Sequence, residues 1–116
     1  MRRALLVLAC CVTACLAPGV QAAADCAVTA AEWSRPRSAA MVRALPGVRD
    51  CVQAWLAAPD QHLILVSAPG EECGLWAAEL RDWLVALGVP SAAIELRAVG
   101  TDKERLQLRL EAVLAP

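Results

Sequence analysis

The sequence predicts an α+β fold, a two-layer sandwich with two helices on one face of a mixed four-stranded sheet, in the order βαβαββ. Three observations predict it. Residues 62–66 and 94–98 are short apolar runs on either side of a long segment with helical period, which makes a βαβ unit. A second helical stripe, formed by Val48, Cys51, Val52, Trp55 and Leu56, precedes that unit. Near the end, Leu106, Leu108, Leu110 and Ala112 alternate with Gln107, Arg109 and Glu111, as in a strand with one face in water.

The first residues stand apart from this pattern. Arg2 and Arg3 precede an uncharged apolar stretch, 4–16, and Pro18-Gly19 breaks it just before the small residues Val20 and Ala22. These are the parts of a secretory signal peptide over residues 1–22, leaving 23–116 as one small α+β domain. The apolar stretch is shorter than the roughly 20 residues of a spanning helix, so no stable transmembrane span is expected. Export implies a periplasmic or secreted protein. An alternative reading of the same region is a lipoprotein signal, because Val12-Thr13-Ala14-Cys15 resembles a lipobox, and the chain would then be anchored at Cys15.

Setting Arg2 and Arg3 aside leaves nine basic against twelve acidic residues, which speaks against a nucleic-acid partner. Tyr and Phe are absent, so Trp33, Trp55, Trp76 and Trp83 supply all the aromatic packing.

Taken in order, a short first strand is expected between Val28 and Trp33. Pro36 then interrupts the chain, Ser38 is placed to cap a helix over 39–45, and Pro46 suits the first turn of the next helix. That helix carries the Val48 stripe, with Arg49, Asp50 and Gln53 on its other side, and Pro59-Asp60 ends it. Residues 62–66 form a strand and Ala68-Pro69-Gly70 the turn out of it. In the helix 71–87, Cys73, Trp76, Ala77, Leu80, Trp83, Leu84 and Leu87 recur at steps of three and four. Glu71 and Glu72 suit its positive end, and Gly88 with Pro90 stops it. Two helical stripes cover only one face of a sheet, so Glu95, Arg97, Gln107, Arg109 and Glu111 should project from the other.

In an exported chain Cys26, Cys51 and Cys73 meet an oxidising compartment. Right-handed crossovers would set the two helices parallel, with their first turns at one edge of the sheet, which favours a Cys51–Cys73 disulfide. The alternatives are a Cys26 segment that reaches back and three reduced cysteines packed as small apolar residues. No Cys-x-x-Cys spacing is present and His62 is the only histidine, so no metal site is expected. No nucleophile with its base, catalytic carboxylate pair or phosphate loop is visible, and no catalytic residue or cofactor is expected.

The chain from Trp33 onward resembles a shortened, divergent outer-membrane protein A C-terminal (OmpA-like) domain. Trp33 and Ser38 stand where that family's first strand turns into a helix. Trp55-Leu56 and Pro59 precede the apolar strand, Trp83-Leu84-Val85-Ala86-Leu87-Gly88-Val89 looks like its helix ending, and Arg105-Leu106-Gln107-Leu108 looks like the start of its last strand. The resemblance implies the sandwich above and a place in the cell envelope. The family binds the diaminopimelate of peptidoglycan through an Asp after the strand and an Arg on the next helix. The nearest positions here are Glu71 and Trp76, and an indole lacks the cationic fork that holds a carboxylate.

The expected function is therefore an exported, non-enzymatic cell-envelope domain, a protein-interaction or envelope-binding module. The expected binding edge is Pro69, Gly70 and Glu71, with Trp76 and the neighbouring Arg35 and Arg37. A degenerate peptidoglycan-binding domain is one alternative, and a small periplasmic hydrolase or redox protein is another.

Overall fold

A computed structural model describes residues 26–113. The signal-peptide and Cys15 readings fall outside the described residues. The elements are β1 (Cys26–Thr29), α1 (Ala30–Trp33), α2 (Ala39–Ala44), α3 (Pro46–Ala57), β2 (Gln61–Val66), α4 (Glu71–Ala86), β3 (Ile94–Arg97) and β4 (Arg105–Ala112), with a 3-10 turn at Ser91–Ala93. The fold is α+β with a mixed four-stranded sheet, in the strand order β1-β4-β2-β3. β4 is antiparallel to both of its neighbours and β2 is parallel to β3. It follows that β1, β2 and β3 all run one way and end at the same edge of the sheet.

The expected order needs two corrections. The first strand ends at Thr29, and Trp33 belongs to a helix, because Thr29 and Glu32 close a capping box. The Thr29 hydroxyl accepts from the Glu32 N–H at 3.1 Å, and Glu32 Oε1 accepts from the Thr29 N–H at 3.0 Å. A short helix that was not expected, α1, also follows β1, whereas α2 is the expected helix over 39–45, so the order among the described residues is β1-α1-α2-α3-β2-α4-β3-β4. Ser38 caps α2 by accepting from the Met41 N–H, and Pro46 is the first residue of α3, both as expected.

One core fills the covered face. Cys26 and Val28, Leu63 and Leu65, and Leu106, Leu108 and Leu110 project into it from the strands. Val48, Cys51 and Trp55 of α3 meet them over β1 and β4, while Ala77, Leu80 and Leu84 of α4 lie over β2 and β3. Leu56, placed by its spacing on the α3 stripe, is instead 64% exposed at the margin of that stripe. Each fully buried Leu contributes about 1.5–3 kcal/mol relative to water.

α4 ends in a Schellman motif. The Val89 N–H donates to the Leu84 carbonyl at 3.0 Å and the Gly88 N–H to the Val85 carbonyl at 3.1 Å, with Gly88 at φ 109°. Val89 is buried, so the stop also returns an apolar side chain to the core.

The expected Cys51–Cys73 disulfide is not made, and Cys73 is a buried thiol. α3 lies over one half of the sheet and α4 over the other, so helix starts that share an edge still diverge sideways.

Glu95, Arg97, Gln107, Arg109 and Glu111 line the uncovered face, as expected, and all are at least partly exposed. In register, Ile64 lies between Glu95 and Arg109, and Val66 between Arg97 and Gln107, so long side chains flank both buried aliphatic residues. Arg97 bridges Glu95 at 2.9 Å and Glu111 at 2.8 Å. The hydrogen bond from Arg97 holds the Glu95 carboxyl below its ordinary range.

Two predictions follow from these contacts. A Cβ on Gly47 would overlap the Ala27 carbonyl, so Gly47→Ala should destabilise the fold by about 1–3 kcal/mol in urea unfolding, outweighing alanine's better helix propensity. A lowered folded-state pKa contributes stability above the ordinary carboxylate range, which is lost as pH falls through the lowered value. Glu95→Gln should accordingly lower the melting temperature slightly at pH 7. The difference from wild type should vanish in acid and shrink in high salt, because the pair is solvent-exposed.

Candidate functional site

β1 and β2 end at the same edge, and the chain leaves them in different directions. After Thr29 it turns into α1, and after Val66 it runs through Pro69-Gly70 into α4. The Ala30 N–H donates to the Glu104 carbonyl at 2.8 Å, which ties the segment before β4 to the start of α1. Gly100 packs against Ser67, with its N–H donating to the Ser67 carbonyl at 2.8 Å. These three segments enclose a cleft of about 620 Å³, a size suited to a small ligand or a few residues of a peptide.

Its apolar wall is a pair of tryptophans. The rings of Trp33 and Trp76 stack with centroids 6.3 Å apart and planes at 28°. Arg37 lies over the Trp33 ring, with its guanidinium carbon 4.9 Å from the centroid. Its Nη1 donates to the Trp33 carbonyl at 2.6 Å and its Nε to Glu79 Oε1 at 2.7 Å. The guanidinium is thus held by a ring, a carbonyl and a carboxylate. Because the pair is partly exposed, geometry rather than a large ionic term is what fixes it.

The first turn of α4, which leads into Trp76, also lines the cleft. Gly70 sits at φ 119° and no side chain caps the helix, which leaves the first N–H groups of α4 without a side-chain acceptor. Cys73 lies among them, buried, while Glu71 and Glu72 are exposed at the rim.

Trp76 Nε1 is buried and has no hydrogen-bond partner among the described residues. Trp55 makes the contrast, because its Nε1 donates to the Gln61 carbonyl at 3.0 Å. A desolvated indole donor without an acceptor costs about 1–3 kcal/mol. A ligand oxygen could take this donor only if the ring shifted to open the N–H to the cleft.

Of the expected binding residues, Arg37, Glu71 and Trp76 line this one cleft. Arg35 is exposed in the turn after α1 and is not among the lining residues. Trp33, Glu79, Lys103 and Glu104 are lining residues that the sequence reading did not assign to a site. Lys103 and Glu104 reach the cleft only through the position of β4.

His62 lies on the uncovered face, beside Glu111 in register and away from the cleft. Among the described residues, no group of three His, Cys, Asp or Glu side chains is placed to hold a metal ion. No described helix is long and apolar enough to cross a membrane.

The two indoles give a paired prediction. Trp76→Phe removes a donor that has no acceptor, so its urea midpoint should match or exceed that of wild type. Trp55→Phe strands the Gln61 carbonyl and should cost about 1–3 kcal/mol. Equal losses in the two variants would show that the Trp76 donor is satisfied. Neither a protein-family model, nor a curated protein, nor a solved structure matches this chain.

Proposed function

We propose that this chain is an exported cell-envelope binding module with an OmpA-like architecture, and that its cleft takes an amine-bearing group of a peptide. One observation carries the reading. A stacked Trp33–Trp76 pair, with a buried and unpartnered indole N–H on Trp76, lines a cleft in which Glu71, Glu72, Glu79 and Glu104 outnumber Arg37 and Lys103. The aromatic wall suits an aliphatic stem, the acidic rim suits a cation, and Trp76 Nε1 supplies a donor for a peptide carbonyl once the ring shifts to open it. Arg37 and Glu79 neutralise each other, which leaves Glu71, Glu72 and Glu104 against Lys103 to meet a positive group.

Export rests on the basic and apolar start of the sequence. The OmpA-like reading is supported by a Ser-capped helix after the first strand, by the Gly88 helix ending and by two closing strands.

The amine has two sources. A basic segment of an envelope protein is the first, and it suits a rim of exposed carboxylates. The diamino acid of a peptidoglycan stem peptide is the second, favoured by Glu71 at the mouth of the cleft, where the family resemblance places an acidic ligand residue.

Co-sedimentation of the purified protein with peptidoglycan sacculi, together with calorimetric titration by a short lysine-rich peptide, separates them. Sedimentation that falls at least tenfold in Glu71→Ala and Trp76→Phe identifies the stem peptide. Saturable heat from the basic peptide alone, lost in Glu71→Ala, identifies a protein partner. Binding in neither arm, or binding that survives both substitutions, sinks the proposal.

A further inference from the structure

The first turn of α3 approaches β1 closely. At Gly47 there is no space for a side chain, because a Cβ would run into the backbone of Ala27. This contact fixes where the next turn of the helix falls. Cys51 lies four residues beyond Gly47, on the same face and about 6 Å further along the axis.

The direction of that step is also determined. β1 and β2 are parallel, and α3 returns from the end of one to the start of the other, with Trp55 Nε1 bonded to the Gln61 carbonyl where β2 begins. The helix therefore runs against β1. A step of about 6 Å along it corresponds to about two strand residues back from Ala27. The Cys51 Cβ leans toward the N-terminus of its helix, which brings it back over Cys26.

Cys26 meets it from below. In β1 the side chains of Cys26 and Val28 point to the covered face, with Ala27 and Thr29 on the other. Cys26 is 7% and Cys51 0% exposed, and both belong to the same core. Cys73 sits on α4, over the other half of the sheet, at the wall of the cleft.

We infer that Cys26 and Cys51 are the pair that forms a disulfide in an oxidising compartment, and that Cys73 stays a thiol beside the cleft. The oxidant is a disulfide, either a small molecule or an oxidoreductase. The two cysteine thiols lose two protons and two electrons as their S–S bond forms, and the oxidant's S–S bond breaks to give two thiols. The bond closes the loop that carries α1, α2 and the first half of α3. It thereby tethers Trp33 and Arg37, the α1 side of the cleft, to the sheet from both ends.

The test uses the full chain equilibrated with oxidised and reduced glutathione, blocked with an alkylating reagent, and digested with trypsin and a glutamate-specific protease, with linked peptides sequenced by fragmentation because Cys26 shares its peptide with Cys10, Cys11 and Cys15. Cleavage after Glu71 and Glu72 separates Cys51 from Cys73. The expected result is a Cys26–Cys51 cross-linked peptide and an alkylated Cys73. The link should persist in Cys73→Ser, and reduction should lower the melting temperature by roughly 10–20 °C. A link from Cys51 to any other cysteine, alkylation of Cys26 and Cys51 after oxidation, or an unchanged melting temperature on reduction overturns the inference. Wild type and Cys73→Ser both retain the proposed pair, so the result does not depend on whether a core-cysteine variant folds.

Discussion

The insertion of β4 between β1 and β2 is the constraint on which the rest of the molecule depends. Leu106, Leu108 and Leu110 point to the covered face and are buried, so β4 is stable only where helices lie above it. Its central place supplies that cover, because α3 packs over β1 and β4 and α4 over the neighbouring half. The same insertion separates the ends of β1 and β2 by one antiparallel strand. That separation lets the chain leave them as two diverging helical segments. The cleft is the space left between those segments, closed below by the loop that leads into β4.

The site inherits its chemistry from this layout. Trp33 comes from the end of α1, Trp76 from the second turn of α4, and Glu104 from the approach to β4, so three distant parts of the chain converge on one small volume. The indole pair is held by packing, with Arg37 locked across it by a carbonyl and a carboxylate. Against this ordered wall, the first turn of α4 is left open, with Gly70 contributing no cap. A cleft that combines stacked indoles with exposed carboxylates suits recognition of a group that is apolar along its length and positively charged at its tip.

The parts of the fold with strong periodicity were legible in the sequence. β2, α4 and β4 follow their apolar patterns to within a residue or two, because each buries one face and a one-residue slip would expose it. Ser38, Pro46 and Gly88 marked their boundaries through local backbone chemistry that tertiary contacts did not override. The segment 26–33 was harder, since its alanines suit a helix while Cys26 and Val28 suit a strand. Thr29 and Glu32 settle the boundary through a capping box, a signal present in the spacing but masked by the apolar residues around it. The cleft was half legible. Glu71 and Trp76, singled out by the family resemblance, and Arg37, a neighbour of that edge, line one cleft, whereas Lys103 and Glu104 reach it through the strand order. That order comes from the pairing of β4 with both β1 and β2, which no local pattern encodes.

The absence of tyrosine and phenylalanine has an optical consequence. Absorption and circular dichroism near 280 nm then arise chiefly from four indoles, two of which are stacked as one wall of the cleft, close enough for their transitions to couple. An exciton couplet from Trp33 and Trp76 would be a signature of that wall, readable in unlabelled protein. A ligand that contacts the indole wall would alter the environment or the angle of those two rings. The molecule thus carries an intrinsic chromophore at the place where ligand is proposed to bind.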